Sequence, residues 1–452
     1  MPMIGIWAFV VYLAIVIVWS SAVKRSMTEA MLLGLLVVSL FNGIGNYAQT
    51  LGAAIQDAAT QEIFVATMLF VVMAAVMSKT DIIKQLVTIL NSLIGRVKGG
   101  SAYVSTLGSA LFGVISGNSV ANAATVGTIT IPWMIKSGWS KEMAATINTG
   151  NSGSGQSFPA SSAMFLMLGL PQVAAAVTIK NFYFAMLTAG LWCVLYRLLI
   201  VRYYVGKYHV QAISSDQIEP KGKAFRENWP SLLMFVSIAV PLILTLSPLS
   251  SVLEASSFGK KGVKSISIIV WVPILMCIIC LIQGRKYLPK SGKGWISLLK
   301  ETQGNIATVG GIFLFALAGS NVLSKVGFGD DLNALIQNLS LPKAAVVFLI
   351  GIVVALVAGP LSGVATTVAM GPVTYSVLTG IGVSPIAAVA AFLIWMSTEG
   401  ASPPSSSPIF MSCGLAGVED VQKTFKPLIF HYVIPVVCIG ALIALGILPI
   451  AK

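Results

Sequence analysis

The sequence has little charge for its length. Only 10% of its 452 residues are Asp, Glu, Lys or Arg, whereas 56% are hydrophobic. Soluble domains carry about 25% charged residues, so the composition excludes a soluble globular protein and indicates a polytopic helical membrane protein. The net charge of +13 is then explained by basic residues in cytoplasmic loops. We therefore expect the chain to contact the lipid bilayer and no nucleic acid.

The residues that catalysis or ATP hydrolysis would need are also scarce. The two histidines, His209 and His431, lie near the ends of predicted spans without HExxH spacing, and there is no Walker motif. Cys277 and Cys280 have CxxC spacing, but no second pair and no nearby His accompanies them, which favours a buried pair over a metal or redox site. The sequence predicts neither an enzyme nor an ATP-driven pump. We expect no cleavable signal peptide, because the first apolar run ends in basic residues.

What the sequence does contain is a pair of small, polar stretches inside apolar surroundings. The first, residues 113–132, reads GVISGNSVANAATVGTITIP, and the second, residues 359–372, reads GPLSGVATTVAMGP. Each is followed, at similar spacing, by a second polar break, NSGSGQSFPASS at 151–162 and STEGASPPSSSP at 397–408. Backbone that leaves a helix at bilayer depth must face protein, water or a ligand. Matched pairs of broken segments therefore indicate a transporter site between internal repeats.

The apolar runs divide the chain into two halves with the same order of elements. We predict a first repeat at 1–202, with a re-entrant hairpin at about 101–135 and a crossing broken into half-helices at about 143–170. Residues 203–228 form a predicted cytoplasmic linker. An amphipathic helix, Lys79–Lys98, is expected at the membrane interface.

The second predicted repeat spans 229–452, with a hairpin at about 346–378 and a broken crossing at about 385–413. A basic loop is expected at Gly284–Thr302, and Ser324–Leu341 is the expected counterpart of the interfacial helix. Each half then has an odd number of crossings, which inverts one half relative to the other. The predicted fold is an all-α polytopic membrane protein with two inverted repeats, about ten spans and two re-entrant hairpins.

The distribution of basic residues gives the predicted orientation. If the N-terminus lies outside, most lysines and arginines fall on the inner side, as the positive-inside rule requires. Arg197, near the end of the last span of the first repeat, is assigned to that inner group. The first hairpin then enters the membrane from the cytoplasm and the second from outside.

The hairpin tips and the breaks are the predicted site. Helix ends inside the bilayer leave carbonyl groups that suit Na⁺ and N–H groups that suit a carboxylate. We expect the tip of the first hairpin, Ser116–Asn118, to face the break at Asn151–Gly153. The tip of the second hairpin, Ser362–Gly363, should face the break at Ser397–Gly400. Asn118 and Asn151 could instead be satisfied core amides. Glu399, as an intramembrane acid, could carry an ion or a proton, or make a structural contact to a hairpin.

No Lys or Arg lies in either tip or either break, so an anionic substrate would rely on helix N-termini and polar side chains. The predicted substrate-binding residues are Ser119, Ser154, Gln156, Ser402 and Ser405.

Two longer stretches carry a family resemblance. The first reads GVISGNSVANAATVGTITIPWMIKSGWSKEMAATINTG and continues with GQSFPASSAMFLMLG; the second reads GPLSGVATTVAMGPVTYSVLTGIGVSP and is followed by ASPPSSSPIFMSCGLAG. They resemble the hairpins and broken helices of the large membrane (permease) subunit of TRAP transporters, the tripartite ATP-independent periplasmic transporters, in the branch paired with TAXI-type binding proteins. The chain departs from that family in the extra polar run NSGSGQS and in Glu399.

The resemblance implies an elevator-type ion-transporter fold and Na⁺-coupled uptake of a small organic anion such as a carboxylate. It also implies a small four-helix membrane subunit, expected as a separate chain, a periplasmic TAXI-type substrate-binding protein, and a bacterial or archaeal cytoplasmic (inner) membrane. By motif, the implied Na⁺-binding residues are Ser116, Gly117, Asn118, Asn151, Gly153, Ser362, Gly363, Thr366, Ser397, Glu399 and Gly400. The alternative function is a self-sufficient Na⁺- or H⁺-coupled organic-anion symporter of the same fold.

Overall fold

The computed structural model describes residues 3–159, 161–212, 218–246, 248–328, 330–331, 334, 341–359, 363–404 and 406–451. Within these ranges every regular element is a helix, which confirms the predicted all-α class. Five helices are long and apolar enough to cross a membrane, and a sixth span results if one bent pair counts as a single crossing. Shorter apolar helices include the first helices of both hairpins and parts of the second broken segment.

The first part of the chain folds into twelve α-helices over the described residues up to 212. Their bounds are α1 Ile4–Ile17, α2 Met27–Leu40, α3 Tyr47–Thr60, α4 Glu62–Ser78, α5 Ile82–Ile94, α6 Gly100–Ser116, α7 Ser119–Lys136, α8 Lys141–Ser152, α9 Ser154–Ser157, α10 Ser162–Gly169, α11 Pro171–Ala174 and α12 Ile179–Lys207. A π-helical turn, Val18–Ala22, extends α1, and a 3₁₀ turn, Ile44–Asn46, precedes α3.

The remainder of the chain continues with α13 to α24. Their bounds are α13 Lys221–Asn228, α14 Val236–Leu246, α15 Pro248–Ala255, α16 Gly259–Ser265, α17 Ile268–Gln283, α18 Gly292–Lys325, α19 Lys343–Ala358, α20 Gly363–Gly380, α21 Pro385–Met396, α22 Ser407–Ala416, α23 Phe425–Leu428 and α24 Ile434–Ala444. Further 3₁₀ turns lie at Trp229–Phe235, Gly284–Lys286, Ser397–Gly400 and Val421–Thr424, and a π-helical turn lies at Ile429–Val433.

Two connecting segments differ from the sequence-based prediction, and a third is only partly described. The basic loop expected at 284–302 is mostly the first part of α18, whose Ser291 cap accepts a hydrogen bond from the Gly294 N–H; a solvated helix tolerates the same lysines as a loop. The linker expected at 203–228 is shortened at both ends, because α12 continues to Lys207 and α13 begins at Lys221. Half of the expected interfacial segment Ser324–Leu341 lies outside the described residues.

The predicted amphipathic segment after α4 is helix α5. Its apolar side chains are buried, among them Ile82, Leu86 and Val87, and it packs against α6, the first helix of the hairpin. The stretch after α2 is also helical: α3 is a separate helix, bent by 55° from α4 at Gln61.

The first helical hairpin turns within two residues. Helix α6 ends at Ser116, Gly117 has a φ of 60°, and α7 begins at Ser119. This left-handed conformation favours glycine. Asn118 caps α7, its Oδ1 accepting a hydrogen bond from the Ala121 N–H at 2.9 Å. The second hairpin joins α19 to α20 through 359–362, of which only Gly359 belongs to the described residues.

Both predicted breaks interrupt helices that otherwise run through the protein interior. Helix α8 ends at Ser152, the single turn α9 follows, and α10 begins only at Ser162. The N-terminal cap of α10 is Ser161, whose Oγ accepts a hydrogen bond from the Met164 N–H. Likewise α21 ends at Met396, a 3₁₀ turn follows, and α22 begins at Ser407. Proline in each break cannot donate a helical hydrogen bond.

The helices pack into two groups. The hairpin body comprises α6–α12 and α19–α24, and the scaffold body comprises α1–α4, α14, α17 and α18. If the hairpins and broken crossings alone formed one unit, the last span of each repeat would lie in the scaffold, but α12 and α24 instead pack against α21 in the hairpin body. The indole of Trp395 shows why: it is fully buried and donates a hydrogen bond to the Val437 carbonyl of α24 at 2.9 Å.

Candidate functional site

The first hairpin tip packs directly on the first break. A Cβ atom added to Gly155 would lie 2.5 Å from both the C and O atoms of Asn118, and one added to Gly113 would overlap the Ser154 carbonyl. Only glycine allows two backbones to approach this closely. The tip at Gly117–Asn118 and the break at Gly153–Ser161 are therefore one contiguous structure.

The two breaks also pack on each other. A Cβ atom on Gly400 would lie 2.5 Å from the Ser152 Oγ and 2.8 Å from the Gly153 N, while one on Gly153 would overlap the Ser397 carbonyl. The Ser152 hydroxyl donates to the Gly400 carbonyl at 3.4 Å. The ends of α8 and α21 thus meet backbone to backbone at the centre of the hairpin body.

The second tip completes the arrangement. A Cβ atom on Gly359 would lie 3.0 Å from the Cβ of Ser402, and one on Gly363 would lie 2.6 Å from Glu399 Oε2 and 2.9 Å from Gln156 Nε2. Within the described residues, the structure consequently brings together the first tip, both breaks and the two residues that flank 360–362 at the second tip, and Gln156 of the first break reaches Gly363.

The predicted ion-binding residues of the first half lie beside unpaired oxygen atoms. Asn151 is buried; its Nδ2 donates to the Thr106 Oγ1 at 3.1 Å, and its Oδ1 has no protein partner. The amides of Asn122 and Asn148 show the same pattern, since each Nδ2 donates to a backbone carbonyl and each Oδ1 is unpaired. Amide and hydroxyl oxygens are the ligands that hard cations prefer. Asn118, by contrast, is an exposed helix cap rather than a core amide.

The second half presents a carboxylate rather than amides. Glu399 is 8% exposed, its carboxylate accepts a hydrogen bond from the Gly363 N–H at the start of α20, and its Oε2 has no partner. The structural contact to a hairpin is therefore present, and one carboxylate oxygen remains available. Thr366 Oγ1 and Gln156 Oε1 are buried and unpaired as well.

Two of the three described hydroxyl groups that are predicted to bind substrate are engaged in hydrogen bonds within the protein. Ser154 Oγ accepts a hydrogen bond from Arg197, and Ser402 Oγ donates to the Thr398 carbonyl of its own turn at 2.9 Å. Ser397, predicted as an ion ligand, likewise donates its hydroxyl to the Ile394 carbonyl at 2.7 Å. Ser119 Oγ is buried and unpaired. Ser362 and Ser405 lie outside the described residues.

Arg197 is a functional candidate that counting basic residues did not reveal. It belongs to the group predicted on the inner side, and its side chain is 2% exposed and packs within the hairpin body. Its Nη1 donates to the Ser154 Oγ at 2.6 Å, and the Cβ position of Gly153 lies 3.2 Å from its Nη2. The sequence did hold a signal, because Arg197 precedes the end of α12 by almost three turns.

A cavity of about 660 Å³ lies between the two bodies. From the hairpin body it is lined by the tip residues Gly117 and Asn118 and by one face of α7, including Thr125 and Thr128. The scaffold contributes residues of α4, and Asp81 and Lys84 lie at the start of α5. None of the five predicted substrate-binding residues lines this cavity over the described part of the chain. Thr125 and Thr128 were missed although their spacing places both on one helical face.

The comparisons with known proteins agree with one another. The family model for the DctM component of the tripartite ATP-independent periplasmic transporters matches residues 6–445. The isethionate TRAP transporter permease protein DctMQ of Oleidesulfovibrio alaskensis is 21% identical over 375 residues, covering 80% of this chain and 54% of that one. The uncharacterized protein YgiK of Salmonella typhimurium is 27% identical over 169 residues, covering 37% of this chain and 38% of that one. The chain thus spans only about half or less of these relatives' lengths.

A solved structure supports the fold. The YdaH transporter of Alcanivorax borkumensis superposes with a TM-score of 0.67 over 90% of this chain and 89% of that one, at 18% identity. At this identity the likeness concerns the architecture alone.

Proposed function

Because the chain belongs to the DctM component family of tripartite ATP-independent periplasmic transporters, we propose that it is the permease through which a small organic anion enters the cell together with Na⁺. A transporter permease is not an enzyme, and the shared family model covers almost the entire chain. The coupling ion, the substrate class and the mechanism of movement are the proposed parts.

The convergence of two tips and two breaks carries the proposal. Backbone segments approach each other there without intervening side chains at Gly113, Gly153 and Gly155, and unpaired amide, hydroxyl and carboxylate oxygens surround them. Desolvated oxygen atoms without donors are stabilised by a bound cation. Na⁺ fits the neutral oxygens of the first half, and Glu399 provides a charged ligand in the second.

The substrate is proposed to bind where the cavity meets the first tip. The N-terminus of α7 begins at Ser119, directly at the cavity wall, and helix N-termini favour anions. Thr125 and Thr128 add hydroxyl groups along the same wall. With Lys84 as the cation lining the cavity in the described residues, recognition rests largely on neutral donors, which suits a small anion with several acceptor oxygens.

The cavity also supports an elevator mechanism. It is lined by Asp81, Ile83 and Lys84 at the start of α5, a segment that the predicted orientation places on the cytoplasmic side, so we propose that the cavity is the route to the cytoplasm. Since the tips and breaks form one contiguous structure, the hairpin body would move as a unit against the scaffold, carrying ions and substrate together. Helix α5, which packs on α6, would join the two bodies.

Partners and location follow from the same premise. We propose that a small membrane subunit and a periplasmic binding protein, of the TAXI type, complete the transporter in a bacterial or archaeal inner membrane. The relative from Oleidesulfovibrio alaskensis is named for isethionate, a small organic anion, which makes isethionate and small carboxylates the first compounds to test.

Uptake into proteoliposomes tests this proposal. The chain is reconstituted with and without its partner proteins, and uptake of each labelled anion is measured with an inward Na⁺ gradient or with choline replacing Na⁺ at constant pH. The proposal predicts uptake that requires Na⁺ and the binding protein. Na⁺-dependent uptake by the chain alone would favour the self-sufficient symporter instead. Undiminished uptake in choline would exclude Na⁺ coupling, and dependence on a pH gradient would transfer the coupling role to protons.

A further inference from the structure

Two helix C-termini face each other at the centre of the hairpin body. Helix α8 ends at Ser152 and α21 ends at Met396, and the residues that follow them, Gly153 and Ser397, are in backbone contact. Neither helix ends in water: residues 143–153 and 387–400 are all buried. The last carbonyl groups of both helices therefore lie in one desolvated region.

This geometry concentrates negative potential. Each helix C-terminus is equivalent to about half a negative elementary charge, so the two together are equivalent to roughly one. In a desolvated region such potential is not screened by water or salt. A single positive charge at the junction of the two breaks would balance it.

Arg197 supplies that charge. Its guanidinium hydrogen-bonds to Ser154, the residue after Gly153, and its Nη2 lies beside the Gly153 position that also faces the Ser397 carbonyl. The guanidinium is thus within contact distance of the first break and adjacent to the end of α21.

No acidic side chain among the described residues pairs with this arginine. The two ion pairs found there are Lys79–Glu301 and Lys223–Glu219, both on the surface. The titratable groups near Arg197 are Cys193, Tyr196 and Tyr432, which are neutral at ordinary pH. A buried arginine without a carboxylate is costly, and the converging helix ends are the compensating feature that the structure offers.

We propose that Arg197 is a tethered cation that permanently fills a cation position at the junction of the two breaks. A mobile ion is then not needed at this junction, and the coupling ions bind at the contacts between each tip and its own break. The positive charge of Arg197 would travel with the hairpin body, because α12 packs within that body. This inference rests on the proposed function only in taking Na⁺ as the mobile ion.

The test uses Na⁺ alone as the probe and needs no knowledge of the substrate. Thermal unfolding of the purified full chain is measured in detergent while NaCl replaces choline chloride at constant ionic strength. Three variants are compared with the unmodified chain: Arg197→Met removes the charge at similar volume, Arg197→Lys keeps it, and Arg202→Met removes an exposed arginine from the same helix as a matched control.

We expect Arg197→Met to unfold at a lower temperature than the other proteins in choline, and to gain an additional, saturable stabilisation by Na⁺ as the free ion occupies the vacated position. Arg197→Lys and Arg202→Met should show the Na⁺ response of the unmodified chain. An unchanged unfolding temperature of Arg197→Met in choline would overturn the proposal, as would destabilisation that Na⁺ does not relieve, including a failure to fold in both salts.

The same measurement separates this inference from the proposed function. If the unmodified chain shows no Na⁺ response at all, Na⁺ coupling at the tips is wrong. If only Arg197→Met responds to Na⁺, the tethered cation is supported even though the proposed coupling sites fail.

Discussion

The contact between the first tip and the first break can be tested by adding a single methyl group. In Gly155→Ala the new Cβ would lie 2.5 Å from the C and O atoms of Asn118 and 2.9 Å from the Ser119 N. All three are backbone atoms, which cannot rotate away as a side chain would. Ordinary van der Waals contact begins at 3.4 Å, so the tip must withdraw from the break by roughly 1 Å, a shift of the order that impairs a preorganised site.

The energetic cost follows from the same distances. Inserting a methyl group into a closely packed site costs about 1–3 kcal/mol. If Na⁺ binds only when the tip is seated on the break, this cost is subtracted from the binding free energy. The half-saturating Na⁺ concentration should then rise by about five- to 150-fold.

The assay is the Na⁺ titration of the unfolding temperature, with choline as the replacing cation. Gly414→Ala is the matched control: this glycine also lies in a helix of the hairpin body, but its Cβ position has no neighbour within 4 Å. Gly414→Ala should leave the stability of the folded protein unchanged or raise it by up to about 1 kcal/mol. A Gly155→Ala protein with the Na⁺ dependence of the unmodified chain would refute the reasoning, since the tip contact would then not control ion binding.

Two further predictions follow from the second tip and from the boundary between the bodies. Glu399→Gln should raise the half-saturating Na⁺ concentration in the unfolding titration about tenfold, because charged ligands strengthen cation sites. An unchanged titration would mean that Glu399 only contacts Gly363 and binds no ion. In a chain freed of its five cysteines, Phe70→Cys and Phe165→Cys, whose native rings have centroids 5.2 Å apart across the two bodies, should arrest uptake when they are joined by a reducible bifunctional thiol reagent, because side chains in contact need not bring Cβ atoms within disulfide range. Cysteines replacing the scaffold pair Lys79 and Glu301, joined by the same reagent, should leave uptake intact, and the reverse pattern would contradict rigid-body movement.

The broken and reversing segments could be predicted because their signal is local. Gly117 and the Pro-containing breaks disrupt helix geometry by their own chemistry, and polar residues inside apolar runs mark the same places. The helix class and the amphipathic α5 followed from composition and periodicity for the same reason.

Other features depend on contacts that the order of residues does not reveal. Arg197 is predicted near the end of a span, and only the packing of α12 on the first break shows it to be buried. The same packing places α12 and α24 in the hairpin body. The engagement of Ser402 by the Thr398 carbonyl was equally hidden, because a serine in a polar run can turn to its own backbone or to a ligand.

Direct binding of ²²Na⁺ to the purified chain is the measurement closest to the central claim that the tip and break contacts hold the coupling ion. The account predicts saturable binding in choline buffer that unlabelled Na⁺ displaces, that Gly155→Ala weakens and that Gly414→Ala preserves. Absence of saturable binding to the unmodified chain, or equal binding by both alanine variants, would contradict it.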